Sequence, residues 1–274
     1  MKIAVLGPDG SFTAIAAKKY VEENKLDAEL FYQKTIFDLF EPVKRNKADL
    51  AVIPLENSLS GTIVEALDRI YSYDLKIIDE IIIPIHHCLI SLKESKKIEK
   101  IISHPQAIAQ CLSFIQKRYP KAEIENASST SEAISKLQQY KVLNAAAIAR
   151  KEIALNPQFK ILNENIEDNE FNTTRFVVVS KQQNHNVKEP KTTIVIIPNK
   201  DMPGLLHSLL GEFATRGINL NKIESRPSRL KMGEYIFYID FIGSVDDIKV
   251  KECIESLRKK AEVKILGTYQ NRLK

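Results

Sequence analysis

Apolar positions along the chain follow two periods that alternate. KIAVLG (residues 2–7), AELFYQ (28–33) and ADLAVIPLEN (48–57) are short apolar runs ended by polar or glycine-rich turns, the pattern of buried strands. Between and after them, the spacing predicts helices from Phe12 to about Asn24, over TIFDLFEPVKRNK, and over TIVEALDRIYSY (62–73), where Ile63, Ala66, Leu67 and Ile70 share one face. Strands alternating with helices at this interval predict an α/β fold with a parallel, doubly wound sheet.

A second stretch of the same kind starts at KIIDEIIIPIHHCLISL, two apolar runs parted by a proline. A strand, turn and helix follow in KIEKIISHPQAIAQCLSFIQKRY, then AEIENASST with the helix SEAISKLQQY, then NAAAIARKEIAL. TRFVVVSKQQ closes the region and is expected to return to the first sheet, giving two lobes joined by chain crossings. Folds of that type hold small ligands in the cleft between lobes. QQNHNVKEP (182–190) is polar, aperiodic and ends in proline, so it reads as a linker. The last eighty or so residues give a βαββαβ order, the α+β ferredoxin-like arrangement.

Composition narrows the function. Hydrophobic residues make up 44% and charged residues 27% of 274, which suits a globular protein with a real core. The net charge of +5 is spread without a basic stripe or interleaved aromatics, so no nucleic-acid partner is expected. Cys88, Cys111 and Cys253 lie far apart, outside any CxxC or zinc spacing, and predict buried free thiols in a reducing compartment. No secretory pattern and no membrane-length apolar run is visible, so a cytoplasmic location is expected.

Polar clusters stand where strands should end. GPDGSFT (7–13) brings Ser11 and Thr13 to a helix start, as a capped turn or as an anion site. PLENSLSGT places Glu56, Asn57 and Ser58 after a strand, with Gly61 and Thr62 beyond. SHPQAIAQC offers Ser103, His104 and Gln106, and Gln110 follows one helical turn later. ASSTSEA, with Ser129, Thr130 and Glu132, has the form of a capping box. His86, His87 and Cys88 look like a metal pair, but lack a further ligand at helical spacing, and no metal is expected. NTTRF (172–176) is either ordinary β-structure or a hydroxyl and a guanidinium aimed at an anionic substrate. Together these clusters imply a site that grips a small polyanion and works without a cofactor.

In this order and spacing, GPDGSFT, PLENSLSGTIVEALD, SHPQAIAQC, NAAAIA and NTTRF resemble the prephenate dehydratase family, and PGLLHSLL with IESRP resembles its ACT regulatory domain. The resemblance covers nearly the whole chain and implies a member without the chorismate mutase segment that fused members carry in front. It implies a two-lobed, periplasmic-binding-protein-like catalytic region at 1–181, with one lobe at 1–77 and 165–181 and the other at 78–164. It implies an ACT domain at 191–274, conversion of prephenate to phenylpyruvate, feedback by L-phenylalanine, and a homodimer or homotetramer. Carried over by motif, the catalytic set is Thr174, Arg175, Glu56, Asn57, Ser103 and Gln110. Ser58, Gly61, Thr62, Ser11, Thr13, Ser129, Thr130 and Phe176 are expected to bind substrate. Gly204, Leu205, Leu206, Asn219, Leu220, Glu224, Ser225, Arg226 and Pro227 are expected to bind the effector. Two positions depart from the family pattern: Leu205 is larger than usual and expected to narrow the effector pocket, and Arg150 replaces a serine and is expected to lie outside the chemistry.

Overall fold

The computed structural model describes residues 1–140, 143–183, 187–228 and 233–273, so the middle of the expected linker lies outside the described residues. The chain begins with β1 (Lys2–Leu6), α1 (Phe12–Glu23), β2 (Glu29–Gln33), α2 (Phe40–Lys44), β3 (Leu50–Asn57), β4 (Gly61–Thr62), α3 (Val64–Ser72) and β5 (Lys76–Pro84). It continues with β6 (Cys88–Leu92), β7 (Lys100–Ser103), α4 (Pro105–Gln110), α5 (Leu112–Arg118), β8 (Glu123–Asn126), α6 (Thr130–Tyr140), β9 (Ala145–Ala149) and β10 (Phe159–Asn163). β11 (Thr173–Ser180) then returns to the first sheet. The remainder is β12 (Pro190–Pro198), α7 (Leu205–Ala214), β13 (Leu220–Pro227), β14 (Tyr235–Ile242), α8 (Ile248–Arg258) and β15 (Ala261–Gln270).

Three sheets result. The first runs β2-β1-β3-β11-β5, parallel where β1 meets β2 and β3, and antiparallel where β11 is inserted. The second runs β10-β6-β9-β7-β8. The third, β13-β14-β12-β15, has the ferredoxin-like order. The lobe boundary differs from the expected one. β5 stays paired with β11 as far as Pro84, because its apolar run keeps the register that β11 needs. The first crossing is therefore residues 85–87, well past residue 77, and the return crossing ends only at Thr173.

β11 is buried on both faces of its sheet. Phe176 and Val178 join Ile3, Val5, Ile81 and Ile83 in a core under α1. Val177 and Val179 face the other way, into a core shared by α3 and the third sheet's Val195, Tyr238, Leu266 and Tyr269. The third sheet thus lies face to face on the first, with α7 and α8 on its far side over Leu209, Phe213 and Phe241. The approach is close: a Cβ at Gly267 of β15 would stand 2.1 Å from the carbonyl oxygen of Ile77. Only glycine permits that crossing. No helix among the described residues is long and apolar enough to cross a membrane.

Candidate active site between the lobes

A cavity of about 750 Å³ opens between the first two lobes. Its walls are the starts of three helices. Ser11, Phe12 and Thr13 come from α1, His104, Gln106 and Ala107 from α4, and Ser128 to Ser131 from α6. Positive helix ends therefore converge on it. Lys34 adds a full charge, and no carboxylate stands among the described lining residues. The cavity is built to favour an anion.

At its floor lies a constellation set by Asn57, the last residue of β3. Two backbone N–H groups, of Leu59 and Ser60, donate to the Asn57 Oδ1 at 3.1 and 3.0 Å. That turn fixes which end of the amide faces β11. Nδ2 donates to the Oδ1 of the buried Asn172 at 2.8 Å, to the Thr173 carbonyl at 3.0 Å and to Thr174 Oγ1 at 3.0 Å. Since the Thr174 oxygen already accepts from Asn57, its own O–H is the part left to donate toward the cavity it lines.

Other expected residues reach the cavity with part of their capacity spent. Ser11 donates to the Leu6 carbonyl at 2.6 Å and caps α1 by accepting from Ala14 N–H at 3.2 Å. Thr13, Ser129 and Thr130 line the walls. Ser129 Oγ accepts from Glu132 N–H at 3.0 Å, but the Glu132 carboxylate takes both donors of Ser128, so the capping box is shifted by one residue from its usual reciprocal form. Gln110 lines the cavity and meets His87 Nε2 at 2.9 Å through its Oε1. Gln106 spans the lobes by donating to Ser60 Oγ at 2.8 Å.

Seven expected residues lie elsewhere, for reasons of strand geometry. Successive side chains on a strand point to opposite faces. Thr174 faces the cavity, so Arg175 faces the third sheet. It donates to Glu80 at 2.7 Å, Asp240 at 2.6 Å and the Tyr269 hydroxyl at 2.6 Å, with Glu56 at 3.4 Å. Burial alone would pull its pKa down, but Asp240, Tyr269 and Glu80 outweigh burial and hold it well above its ordinary value. Glu56 also pairs with Lys222 at 2.9 Å. Phe176 is core, 1% exposed. Ser103 is fully buried and donates to the Ile148 carbonyl at 2.7 Å, tying β7 to β9. Ser58 bonds the backbone of Phe171 and Thr173. Gly61 starts the β4 edge, and Thr62 Oγ1 donates to Glu224 at 2.8 Å while accepting from Lys222 at 2.7 Å.

The expected effector set divides as well. Leu205 and Leu220 pack against the core under α7 and α8, and Gly204 caps α7 with a left-handed φ of 78°. Leu206 and Asn219 are exposed there. On β13, Ser225 and Pro227 are exposed, whereas Glu224 and Arg226 turn toward the first lobe, onto Thr62 and, at 3.5 Å, Asp68. Arg150 crosses between the lobes. Its guanidinium lies 5.6 Å over the Phe12 ring and 3.5 Å from where a Cβ of Gly10 would stand, and burial lowers its pKa.

The cavity also holds Tyr32, Gln33 and Lys34, at the end of β2, which motif reading passed over, and His87 in the first crossing, which it weighed only as a metal ligand. Their signal was position, at the carboxyl end of a parallel strand or at a lobe crossing.

Residues 3–184 match the prephenate dehydratase family model, and residues 193–259 match that of the ACT domain. A prephenate dehydratase of Methanocaldococcus jannaschii is 38% identical over 266 residues, covering 96% of this chain and 95% of its own. A solved prephenate dehydratase of Arthrobacter aurescens, in complex with L-Phe, is 32% identical with a TM-score of 0.89, covering 99% of this chain and 90% of its own. That of Staphylococcus aureus is 29% identical with a TM-score of 0.85, covering 98% and 100%. A cleft with a hydroxyl at its floor and no carboxylate among the described lining residues, a third sheet of ferredoxin-like order, and likeness along nearly the full length agree: the chain belongs to the prephenate dehydratase family, and it carries an ACT domain.

Proposed function

We propose that the cleft performs the decarboxylative dehydration of prephenate to phenylpyruvate, with Thr174 acting on the departing hydroxyl. One observation carries this reading: the Thr174 oxygen accepts from Asn57, which leaves its O–H free to donate in a cavity lined by Lys34 and three helix starts. In the reaction the bond to the ring carboxylate breaks, and its electron pair enters the ring as carbon dioxide leaves. The ring carbon–oxygen bond breaks in turn, and the hydroxyl departs as water after taking up one proton. Aromatisation supplies the driving force. The protein's task is to hold the dianion and to stabilise charge on the leaving oxygen, which Thr174 does by donating its hydrogen bond. Lys34 and the helix starts of α1 and α6 bind the carboxylates. Gln110 presents a polar amide to the substrate from the opposite lobe.

L-Phenylalanine is the regulator, bound at the ACT domain near Gly204 to Leu206 and the exposed edge of β13. Glu224 and Lys222 on that strand contact Thr62 and Glu56, the neighbours of Asn57, which gives effector binding a route to the catalytic floor. The free edge of β13, with Ile223 exposed, serves as the contact between two copies in a homodimer or homotetramer. The three cysteines are free and buried, consistent with a reducing cytoplasm.

The test is turnover by the purified protein, read as phenylpyruvate formed from prephenate, with and without added L-phenylalanine, and as L-phenylalanine formed from arogenate, which carries an amino group in place of the side-chain keto group. Turnover of prephenate suppressed by phenylalanine supports the whole reading. Binding of prephenate without turnover would replace it with a non-catalytic receptor.

A further inference from the structure

His87 occupies the first crossing between the lobes, and the residue is 2% exposed. The backbone around it is fastened to the return crossing. Its N–H donates to Glu167 Oε2 at 2.9 Å, and its carbonyl accepts from Ile166 N–H at 3.0 Å. Phe12 of the first lobe meets the ring edge-on, at 6.3 Å and 85°. On the other side, in the second lobe, Gln110 Oε1 stands 2.9 Å from Nε2. An amide oxygen only accepts, so His87 Nε2 carries the hydrogen. Burial also disfavours the charged ring, against smaller opposing effects of Gln110 and Glu167, and Nδ1 is buried without a partner. The ring is therefore a neutral imidazole in one tautomer.

That assignment has a consequence for Gln110. With its oxygen engaged by His87, the amide group left for the cavity is the N–H₂, which makes no hydrogen bond among the described residues. An unfixed glutamine could present either end, and a carboxylate or hydroxyl oxygen of the substrate requires the donor. We propose that His87 is a positioning residue for the reaction: it locks the Gln110 amide so that its N–H₂ is the end offered to substrate oxygen. Because the ring sits between Phe12 and Gln110, the donor is also held in fixed relation to the first lobe. This inference rests on the reading of Gln110 as a substrate-binding residue.

A kinetic double-mutant cycle on the full-length protein tests it, with prephenate as substrate and circular dichroism confirming the fold of each variant. His87→Phe keeps a ring but removes the donor, and is expected to lower kcat/KM about tenfold, the worth of one hydrogen bond. His87→Gln, whose amide N–H₂ replaces Nε2–H, is expected to recover most of that loss. Gln110→Ala is expected to lower kcat/KM by at least as much, and adding His87→Phe to it is expected to change little further, because the residue it orients is gone. Effects that multiply in the double variant would overturn the inference while leaving Gln110 in the site. Normal kcat/KM in Gln110→Ala would instead remove Gln110 from the reading, and the inference with it. Should His87→Phe fail to fold, His87→Asn takes its place, being too short to reach Gln110. Activity in His87→Asn equal to that of His87→Gln would also overturn the proposal.

Discussion

Thr174 and Arg175 are neighbours in one strand, yet they belong to opposite regions of the molecule. Thr174 is half-buried, looks into a cavity with no carboxylate among its described lining residues, and keeps its O–H to donate. Arg175 is 4% exposed and looks into the junction of two sheets, where Arg175 and Lys191 face Glu80 and Asp240. The cavity holds unsatisfied capacity and a positive bias. The junction compensates its charges within itself, with Thr193 donating to Asp240 and bonded to the Tyr269 hydroxyl. A site for a polyanion has to leave its charge uncompensated until the ligand arrives. An interface between domains has to compensate its charges within itself, since each buried ion loses hydration. The short TRF run thus faces the cavity at Thr174, joins two sheets at Arg175 and packs the core at Phe176.

The comparison is sharpened by variants that act on one region and spare the other. Thr174→Ala is expected to lower kcat by roughly 10²–10⁴ while leaving the melting temperature nearly unchanged, and Thr174→Ser to keep much more activity. Steady-state kinetics beside thermal denaturation reads both, and equal turnover in all three proteins would remove Thr174 from the mechanism. Asp240→Ala should do the reverse. It leaves the buried Arg175 short of a carboxylate and Thr193 short of its acceptor, and a loss of about 3–5 kcal/mol in denaturant unfolding is expected. A loss under about 1 kcal/mol would show that the junction cluster contributes little to the fold.

The smallest expected effect is a pH dependence at His87, next to Gln110, Glu167 and His86. Its folded pKa lies below the usual histidine value because the ring is buried. Above pH of about 6.5 it is neutral in both folded and unfolded chains and contributes no pH dependence. As pH falls from about 6.5 toward the folded pKa, the unfolded chain takes the proton first, and stability drops by up to about 1.4 kcal/mol per pH unit. Unfolding measured at pH 7.5 and 5.5 should show a smaller drop in His87→Gln than in the parent chain. An equal drop would place the titration elsewhere.

Much of this was legible in the sequence. Periodicity located most strands and helices, since a strand buried on both faces must be an apolar run and an amphipathic helix must repeat its apolar face. The βαββαβ tail was readable for the same reason, and the motifs in series pointed to the family. The cavity-facing members Thr174, Asn57, Gln110, Ser11, Thr13, Ser129 and Thr130 all came from polar residues at element ends. Lys34 did not stand out, because a lysine after a strand has an ordinary role far more often, and His87 was read only as half of a metal pair, not as a cavity residue.

What the sequence by itself determined is the set of elements, their order, and which polar residues stand at their ends. The tertiary structure alone decided which of those residues face the cavity. Arg175 and Glu56 were expected at the substrate and are found at the junction, because the outward face of β11 is covered by a sheet whose Asp240 lies 65 residues further along the chain. Alternation along a strand says that Thr174 and Arg175 part company. Only the packing of one sheet against another says which face becomes the cleft and which becomes buried, and that depends on contacts that local sequence does not record.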